Sequence, residues 1–474
     1  MRLGNRTHSI ISISHFQMAM VCFFYQVYYS GEKKMKLRNK ILAILGTVVI
    51  GIALLLQFAP GNIRRSFMEA LRWGWSQAVH YDLVSGTEVF NIRQVMTADP
   101  SHSRVIMWQS NFPEENATVE LRNKKSTVVK EFSQKEEFYK DAGKETYIHT
   151  VQISGLTPGE QYEYRIRTGK KATAWMPMTA FSGDSFKAMV FPDSQSSDYT
   201  VWKQTADAAW QRNPDATFFI NMGDLVDNGQ DASQWNAWFG VVQPFAEKIP
   251  AVTVMGNHET YTLDWKVRRP EAYMQLFSLP DNGYTQYPNR FYSYDVGDVH
   301  FVVLDTMFTE MKDFEPNLLK DELEWFRKDM AQHKKKWNIV LMHKDPLQYA
   351  FSPNLKNAKY GKREEGFSDE GKTWMPLFDA YGVDLVLSAH LHTYRNRGHI
   401  RNFVRDPAGP LYIITGVAGN VRYPELWKQH ALDLYVAPQP ETDNYIIMDK
   451  GKDHLTLTCY LPDGTVLDKA ELKK

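Results

Sequence analysis

"ATFFINMGDLVDNG", residues 216–229, sets an apolar run against a glycine-rich turn that carries two carboxylates, Asp224 and Asp227. Residues 216–220 read as a buried strand, and unpaired charges at the mouth of a core are costly. A cationic group is therefore expected beyond the end of this strand. Further along, short apolar runs recur at 186–191, 249–255, 299–305, 337–343, 383–390 and 411–416, with helical segments between several of them. In 317–332, Leu319, Leu323, Phe326 and Met330 fall on one helical face. Buried strands alternating with helices make a layered α/β domain, whose ligands sit beyond the carboxyl ends of the strands.

The strand ends share a chemistry. The first run is followed by Asp193, Ser194 and Gln195, the second by Gly223-Asp224, the third by Gly256-Asn257-His258-Glu259. Two later runs deliver His343 and His390-Leu391-His392. Five candidate strands thus place hard-oxygen or imidazole groups at what the pattern makes the edge of one sheet. An Asp or Asn after a strand is ordinarily a turn residue or helix cap, and a lone His is ordinarily a core residue. His8, His15, His80, His102, His149, His300, His333, His399 and His454 take that plain reading, and His430 joins them. Unrelated caps would not jointly supply a mixed nitrogen and oxygen ligand set.

The whole chain narrows the choice. Its 474 residues suffice for two or three domains. Lys+Arg and Asp+Glu both number 55, so nothing argues for a nucleic-acid partner. Cys22 and Cys459 are the only cysteines, which excludes a disulfide framework and a cysteine metal cluster. A metal here needs His, Asp, Asn or Glu. Residues 88–182 consist of short, aromatic, alternating segments of all-β sandwich character, and "GLTPGEQYEYRI" (155–166) resembles a fibronectin type III corner. Residues 41–59 (ILAILGTVVIGIALLLQFA) form an apolar run without a charge. As a helix it would span roughly 28 Å, close to a bilayer's hydrocarbon thickness of about 30 Å. Lys33, Lys34, Lys36, Arg38 and Lys40 precede it, which puts the N-terminus in the cytoplasm. The expected organisation is an extension over 1–34 with Met35 as the more natural start, a signal anchor or transmembrane helix over 35–60, a linker over 61–87, the all-β domain over 88–182 and the α/β domain over 186–474. The protein is then expected at the cell membrane as a single-pass protein with its large domains extracytoplasmic, or secreted if the segment is cleaved near Pro60.

The pattern Asp193, Gly223-Asp224, Gly256-Asn257-His258-Glu259, His343 and Ala389-His390-Leu391-His392 resembles that of the calcineurin-like metallophosphoesterase superfamily and, within it, the purple acid phosphatases. The resemblance extends to "FYSYDVGDVHFVVLDT" (291–306) and "VDLVLSAHLHTYRN" (383–396) and covers roughly residues 88 to 470. It implies an α/β fold, a layered β-sandwich metallophosphoesterase domain flanked by helices, behind an all-β fibronectin type III-like domain. It also implies two divalent or trivalent transition metal ions, Fe, Zn or Mn, to which imidazole and carboxylate ligands are suited. Asp193, Asp224 and His392 would hold the first; Asp224, Asn257, His343 and His390 the second, with Asp224 bridging. Asn257 and His258 would bind substrate, with His258 contacting the phosphoryl group or protonating the leaving group. The implied activity is phosphomonoester hydrolysis by a metal-bound hydroxide on a small phosphorylated substrate. Phosphodiester or nucleotide hydrolysis at the same site and a catalytically silent surface-binding protein are the alternatives.

Three positions depart from the pattern. Ala389 stands for a Gly, and Gln195 stands where many relatives carry a metal-binding His; its expected place is behind the ligands. Asp227 occupies the position of the Tyr whose phenolate colours purple acid phosphatases. "GDLVDNG" instead resembles the protein Ser/Thr phosphatase branch, in which that Asp orients the catalytic His, although Asn228 replaces the Arg found there. Asp224 is thus expected as a ligand and Asp227 as the partner of His258.

Overall fold

The strand Phe218–Asn221 lies between Phe186–Phe191 and Pro250–Thr253, all three parallel, inside a ten-stranded mixed sheet. The computed structural model describes residues 59–474 apart from 115, 282–283, 352–362 and 424–425. A second, eight-stranded sheet has a parallel centre of Val299–Leu304, Trp337–Met342, Leu385–Ser388 and Leu411–Thr415. The two sheets stack through aromatic rings: Phe186, Phe218, Tyr294 and Phe301 interlock with centroids 4.7 to 6.4 Å apart.

Because the parallel strands are buried on both faces, neighbouring residues point into different apolar layers. Phe219 turns away from Phe218 and meets Phe245 of the helix Ala232–Ala246. On the far side of the second sheet, Phe326 of the helix Leu318–His333 packs against Trp374 and Phe378 of Asp369–Tyr381. The buried face of Leu318–His333 is Leu318, Glu322, Trp325, Phe326, Asp329 and Met330, and Leu319 and Leu323 lie at its margin. The predicted apolar stripe is turned because Glu322 and Asp329 have buried partners: Glu322 accepts the Asp305 N–H at 2.7 Å, and Asp329 meets His300 at 2.8 Å.

The all-β part closes over its own core of Ile106, Trp108, Val119, Leu121, Tyr164 and Ile166. Its boundary with the α/β part, evident in the sequence as a change of pattern, is not a break in hydrogen bonding. Phe90–Val95 pairs in parallel with Pro250–Thr253, Gln94 opposite Pro250 and Val95 opposite Ala251, so one sheet runs through both parts. Residues 61–87, expected as a linker, contain the helix Gly61–His80. The chain divides into two units between Arg64 and Arg65. Within the larger unit this helix is tied to its surroundings: Asn111 donates to Ser76 at 2.7 Å and Asn236 donates to Glu69 at 2.7 Å. Almost all of the expected transmembrane segment lies outside the described residues, among which no helix is long and apolar enough to cross a membrane.

A candidate dinuclear metal site

The expected edge of one sheet is in fact the meeting of two. Asp193, Asp224 and Asn257 follow parallel strands of the first sheet, while His343, His390 and His392 follow strands of the second. A parallel bridge between Asp193 and Val417 ties the sheets at this point. Close approach dictates the glycines. A Cβ on Gly223 would come 2.4 Å from His343 Nδ1, and one on Gly256 would come 2.2 Å from Asp224 Oδ1. Asp224, His390 and His392 take φ of 48°, 68° and 51°, left-handed conformations that cost non-glycine residues energy and gather at functional sites. Ala389, in the place of a Gly, is fully buried and donates its N–H to the His343 carbonyl at 2.9 Å.

Two groups of ligand atoms, each within 4.8 Å of one another, share one member: Asp224 with His343 and His390, and Asp193 with Asp224 and His392. Main-chain carbonyls fix the tautomers. His343 donates from Nδ1 to Met222 O at 2.9 Å, and His392 from Nδ1 to Val421 O at 2.9 Å. Both Nε2 atoms are thereby turned to carboxylates, His343 3.2 Å from Asp224 Oδ2 and His392 3.5 Å from Asp193 Oδ1. His343 Nε2, His390 Nδ1, Asn257 Oδ1 and Gln195 Oε1 are all buried without a hydrogen-bond partner. Orphaned acceptors are costly singly. Gathered at one point, opposite two carboxylates, they fit transition metal ions.

The protonation equilibria show the same demand for positive charge. Burial alone would lower the His343 pKa, but Asp224 and Asp193 outweigh it and raise it to about 9, so a proton is favoured where a cation fits. Asp224 feels burial pushing it up, yet His343 and His258 hold it well below the ordinary carboxylate range. Burial drives Asp193 the other way, well above that range. His390 is held well below 6.5 by burial and by His343, and burial takes His392 down to about 4, which keeps both neutral and able to ligate.

His258 follows Asn257 directly. Its main-chain N–H donates to Asp224 Oδ1 at 2.9 Å, and its Nδ1 donates to the main-chain carbonyl of Asp227 at 2.7 Å. The Asp227 carboxylate stands 3.7 Å from Nδ1, near enough to act by charge but beyond a hydrogen bond. Its own pKa is raised by burial, against the opposing pull of His258. The two residues meet, but the expected hydrogen bond from the imidazole to the Asp227 carboxylate is not made: the backbone rather than the side chain of Asp227 sets the imidazole tautomer. Gln195 is not behind the ligands as expected: its Nε2 lies 3.2 Å from His392 Nε2, the nitrogen turned to Asp193, so its amide faces the same point as the ligand atoms.

Two residues gain roles that the pattern alone did not give them. Glu259 is fully buried and accepts from the N–H groups of Asp224 at 3.0 Å, Leu225 at 2.8 Å and Gly256 at 2.7 Å, clamping two ligand loops together. Burial and the neighbouring Asp224 raise its pKa to about 7. Tyr261 accepts from Asn257 Nδ2 at 3.2 Å, which leaves the amide oxygen for a metal. The Glu that completes Gly-Asn-His-Glu was the available sequence signal for the first; nothing marked the second. A separate cavity of about 510 Å³, lined by Arg72, Phe90, Gln109, Lys144 and Asn236 among others, contains none of the metal-set residues.

Residues 186–394 match the family described as calcineurin-like phosphoesterase, and residues 89–182 match the purple acid phosphatase N-terminal domain. This chain carries a calcineurin-like phosphoesterase domain behind a purple acid phosphatase N-terminal domain. The phosphoesterase domain thus contains every residue of the metal set. Purple acid phosphatase 15 of Arabidopsis thaliana is 25% identical over 62% of this chain and 57% of its own length. Purple acid phosphatase 23 of the same plant is 24% identical over 76% of this chain and 81% of its own, and human acid phosphatase type 7 is 27% identical over 58% and 64%. Against the first and third of these, the match spans less than two thirds of the relative. The structure of purple acid phosphatase PPD1 from yellow lupin (Lupinus luteus) seeds superposes with a TM-score of 0.66 at 17% identity, covering 81% of this chain and 74% of that one, which establishes a common fold.

Proposed function

We propose that the protein is a metal-dependent phosphoester hydrolase acting on small phosphomonoesters. The carrying observation is the pair of buried ligand groups that share Asp224. In this reading Asp193, Asp224 and His392 hold one transition metal ion, and Asp224, Asn257, His343 and His390 hold the other. Two bound cations would supply charge stabilisation at phosphorus and an activated water.

The protein's own groups do the remaining work. The bond from His258 N–H to Asp224 Oδ1 locks the main chain beside Asn257, so the amide and the imidazole are presented to one phosphoryl group. With Nδ1 held by the Asp227 carbonyl, Nε2 of His258 is the nitrogen that exchanges a proton with substrate. The Asp227 carboxylate stands 3.7 Å from Nδ1, on the side of the ring away from Nε2. The water oxygen bonds to phosphorus as the ester P–O bond breaks, and the proton on Nε2 passes to the departing oxygen.

The test is an assay of the purified chain, with Fe, Zn or Mn and then with chelator, on an aryl phosphate and an aryl phosphodiester. Chelator-sensitive hydrolysis of the monoester supports the reading. Preferential hydrolysis of the diester makes the protein a phosphodiesterase, and inactivity with both metals bound makes it a silent binding protein. We also propose that residues 41–59 anchor the protein with these domains outside the cytoplasm, a reading that rests on the cations before the apolar run. Protease added to intact cells should digest the domains; protection would overturn that orientation.

A further inference from the structure

Beyond His258 the chain makes a tight hairpin. Tyr261 bridges Val267, Thr262 N donates to Lys266 O at 2.8 Å, and Trp265 N donates to Thr262 O at 2.9 Å. Hairpins that close a turn in this way have a left-handed residue at the bulge, a position that favours glycine. Here it is Trp265, with φ of 63°. For a bulky side chain this is a costly conformation, and burial does not offset it, because Trp265 is 56% exposed.

What Trp265 does have is a position. Its ring centroid lies 6.0 Å from that of His258 at 87°, and 5.7 Å from that of Tyr261. Tyr261 in turn lies 5.2 Å from His258, edge to face. The three rings form one wall beside the phosphoryl-binding residues. The hairpin beneath them is held firmly. Leu263 N donates to Gln230 Oε1 at 2.9 Å, Gln230 N donates to Tyr261 O at 3.1 Å, and Asn228 Nδ2 donates to Thr262 O. Asp141 of the N-terminal domain accepts from Gln230 Nε2 at 2.9 Å and Arg268 Nη1 at 3.0 Å, bracing both sides of the hairpin base. A strained, half-exposed Trp on a rigid support, in contact with the proton-exchanging His, is neither core nor loose surface.

We infer that Trp265, backed by Tyr261, is a stacking platform for the leaving group, and that the substrates of this site are phosphomonoesters whose alcohol carries a planar ring, as in aryl and nucleoside phosphates. The inference rests on the hydrolase reading above, because it needs a leaving group beside His258. The ring of an aryl phosphate sits on the ester oxygen itself and the base of a nucleoside phosphate several bonds beyond it, and a wall that runs from the imidazole to Trp265, centroids 6.0 Å apart, borders both places. Stacking on an aromatic side chain is tolerant of ring identity, so selectivity should separate ring-bearing from aliphatic alcohols more than one ring from another.

The experiment compares phenyl phosphate, adenosine monophosphate and glycerol phosphate with the metal-loaded wild type and with Trp265→Gly and Trp265→Phe. Glycine suits the backbone at this position, so Trp265→Gly should melt at the wild-type temperature or above. Its ratio of kcat/KM for either ring-bearing substrate over glycerol phosphate should fall about ten-fold, through KM, and Trp265→Phe should recover most of it. A fall for phenyl phosphate alone would restrict the platform to aryl esters, and a fall for adenosine monophosphate alone to nucleotides. A ratio unchanged in Trp265→Gly, or a loss shared equally by all three substrates through kcat, overturns the platform while leaving the hydrolase intact. Failure of the wild type on every phosphoester overturns the hydrolase reading and the platform with it.

Discussion

At the scale of single residues, the site depends on which atoms face which. Asp224 belongs to both ligand groups, so Asp224→Asn should reduce bound metal from near two equivalents to well below one, as measured by elemental analysis of protein purified without chelator. His258 and Asp227 separate differently. Asp227→Asn removes a charge 3.7 Å from the imidazole but keeps the carbonyl that holds Nδ1. It should lower kcat by less than about ten-fold, whereas His258→Asn should lower it by about a hundred-fold or more, as loss of a proton-transfer group does. Both variants should keep both metals; loss of one equivalent in Asp227→Asn would make its carboxylate a ligand. The metal-set residues were legible in the sequence because each is a chemically unusual side chain at the end of an apolar run. The carbonyl of Asp227 was not, since main-chain acceptors are the same at every residue. The work of Glu259 was hidden likewise, because its partners are three backbone N–H groups.

At the scale of elements, the run of strands and helices could be read from periodicity, but which strands adjoin could not. Nothing local in 299–305 or 337–343 says that these strands leave the first sheet and build a second one. The same limit applies to buried charge. His300 took a plain core reading, yet it bridges the sheet and the helix Leu318–His333, with Nδ1 2.7 Å from Asp295 and Nε2 2.8 Å from Asp329. Burial alone would lower its pKa, but the two carboxylates raise it from 6.5 to about 9. That rise corresponds to roughly 3 kcal/mol favouring the charged form in the fold. The sign follows from linkage: a base whose folded pKa is raised contributes fully below about 6.5, and the contribution is lost as pH rises through about 9. His300→Gln should therefore melt well below the wild type at pH values near 6, and the gap should narrow steadily above neutrality. A gap independent of pH would mean that His300 serves by shape and hydrogen bonding alone.

At the scale of the molecule, composition and pattern divide the chain near residue 185, and the family matches fall on either side of that point. The hydrogen bonds do not divide there. Phe90–Val95 forms the edge-to-edge join with Pro250–Thr253, the strand that leads directly to Asn257 and His258. Arg93 donates to Leu276 O at 2.9 Å and Tyr164 donates to Glu247 O at 2.8 Å across the same seam. Removing residues 88–182 would bare one edge of Pro250–Thr253, an open row of donors and acceptors of the kind that recruits other chains. It would also strip Asp141 from Gln230 and Arg268, the base of the hairpin that carries Trp265. A spacer domain would melt on its own and leave the rest working. A domain that completes the sheet should not. Calorimetry of the intact protein should therefore show one cooperative transition over both parts, and the fragment 186–474 should aggregate at concentrations at which the whole chain stays monodisperse. Two resolved transitions, or a soluble fragment with wild-type activity, would make the shared sheet incidental to stability and reduce the N-terminal domain to an attachment.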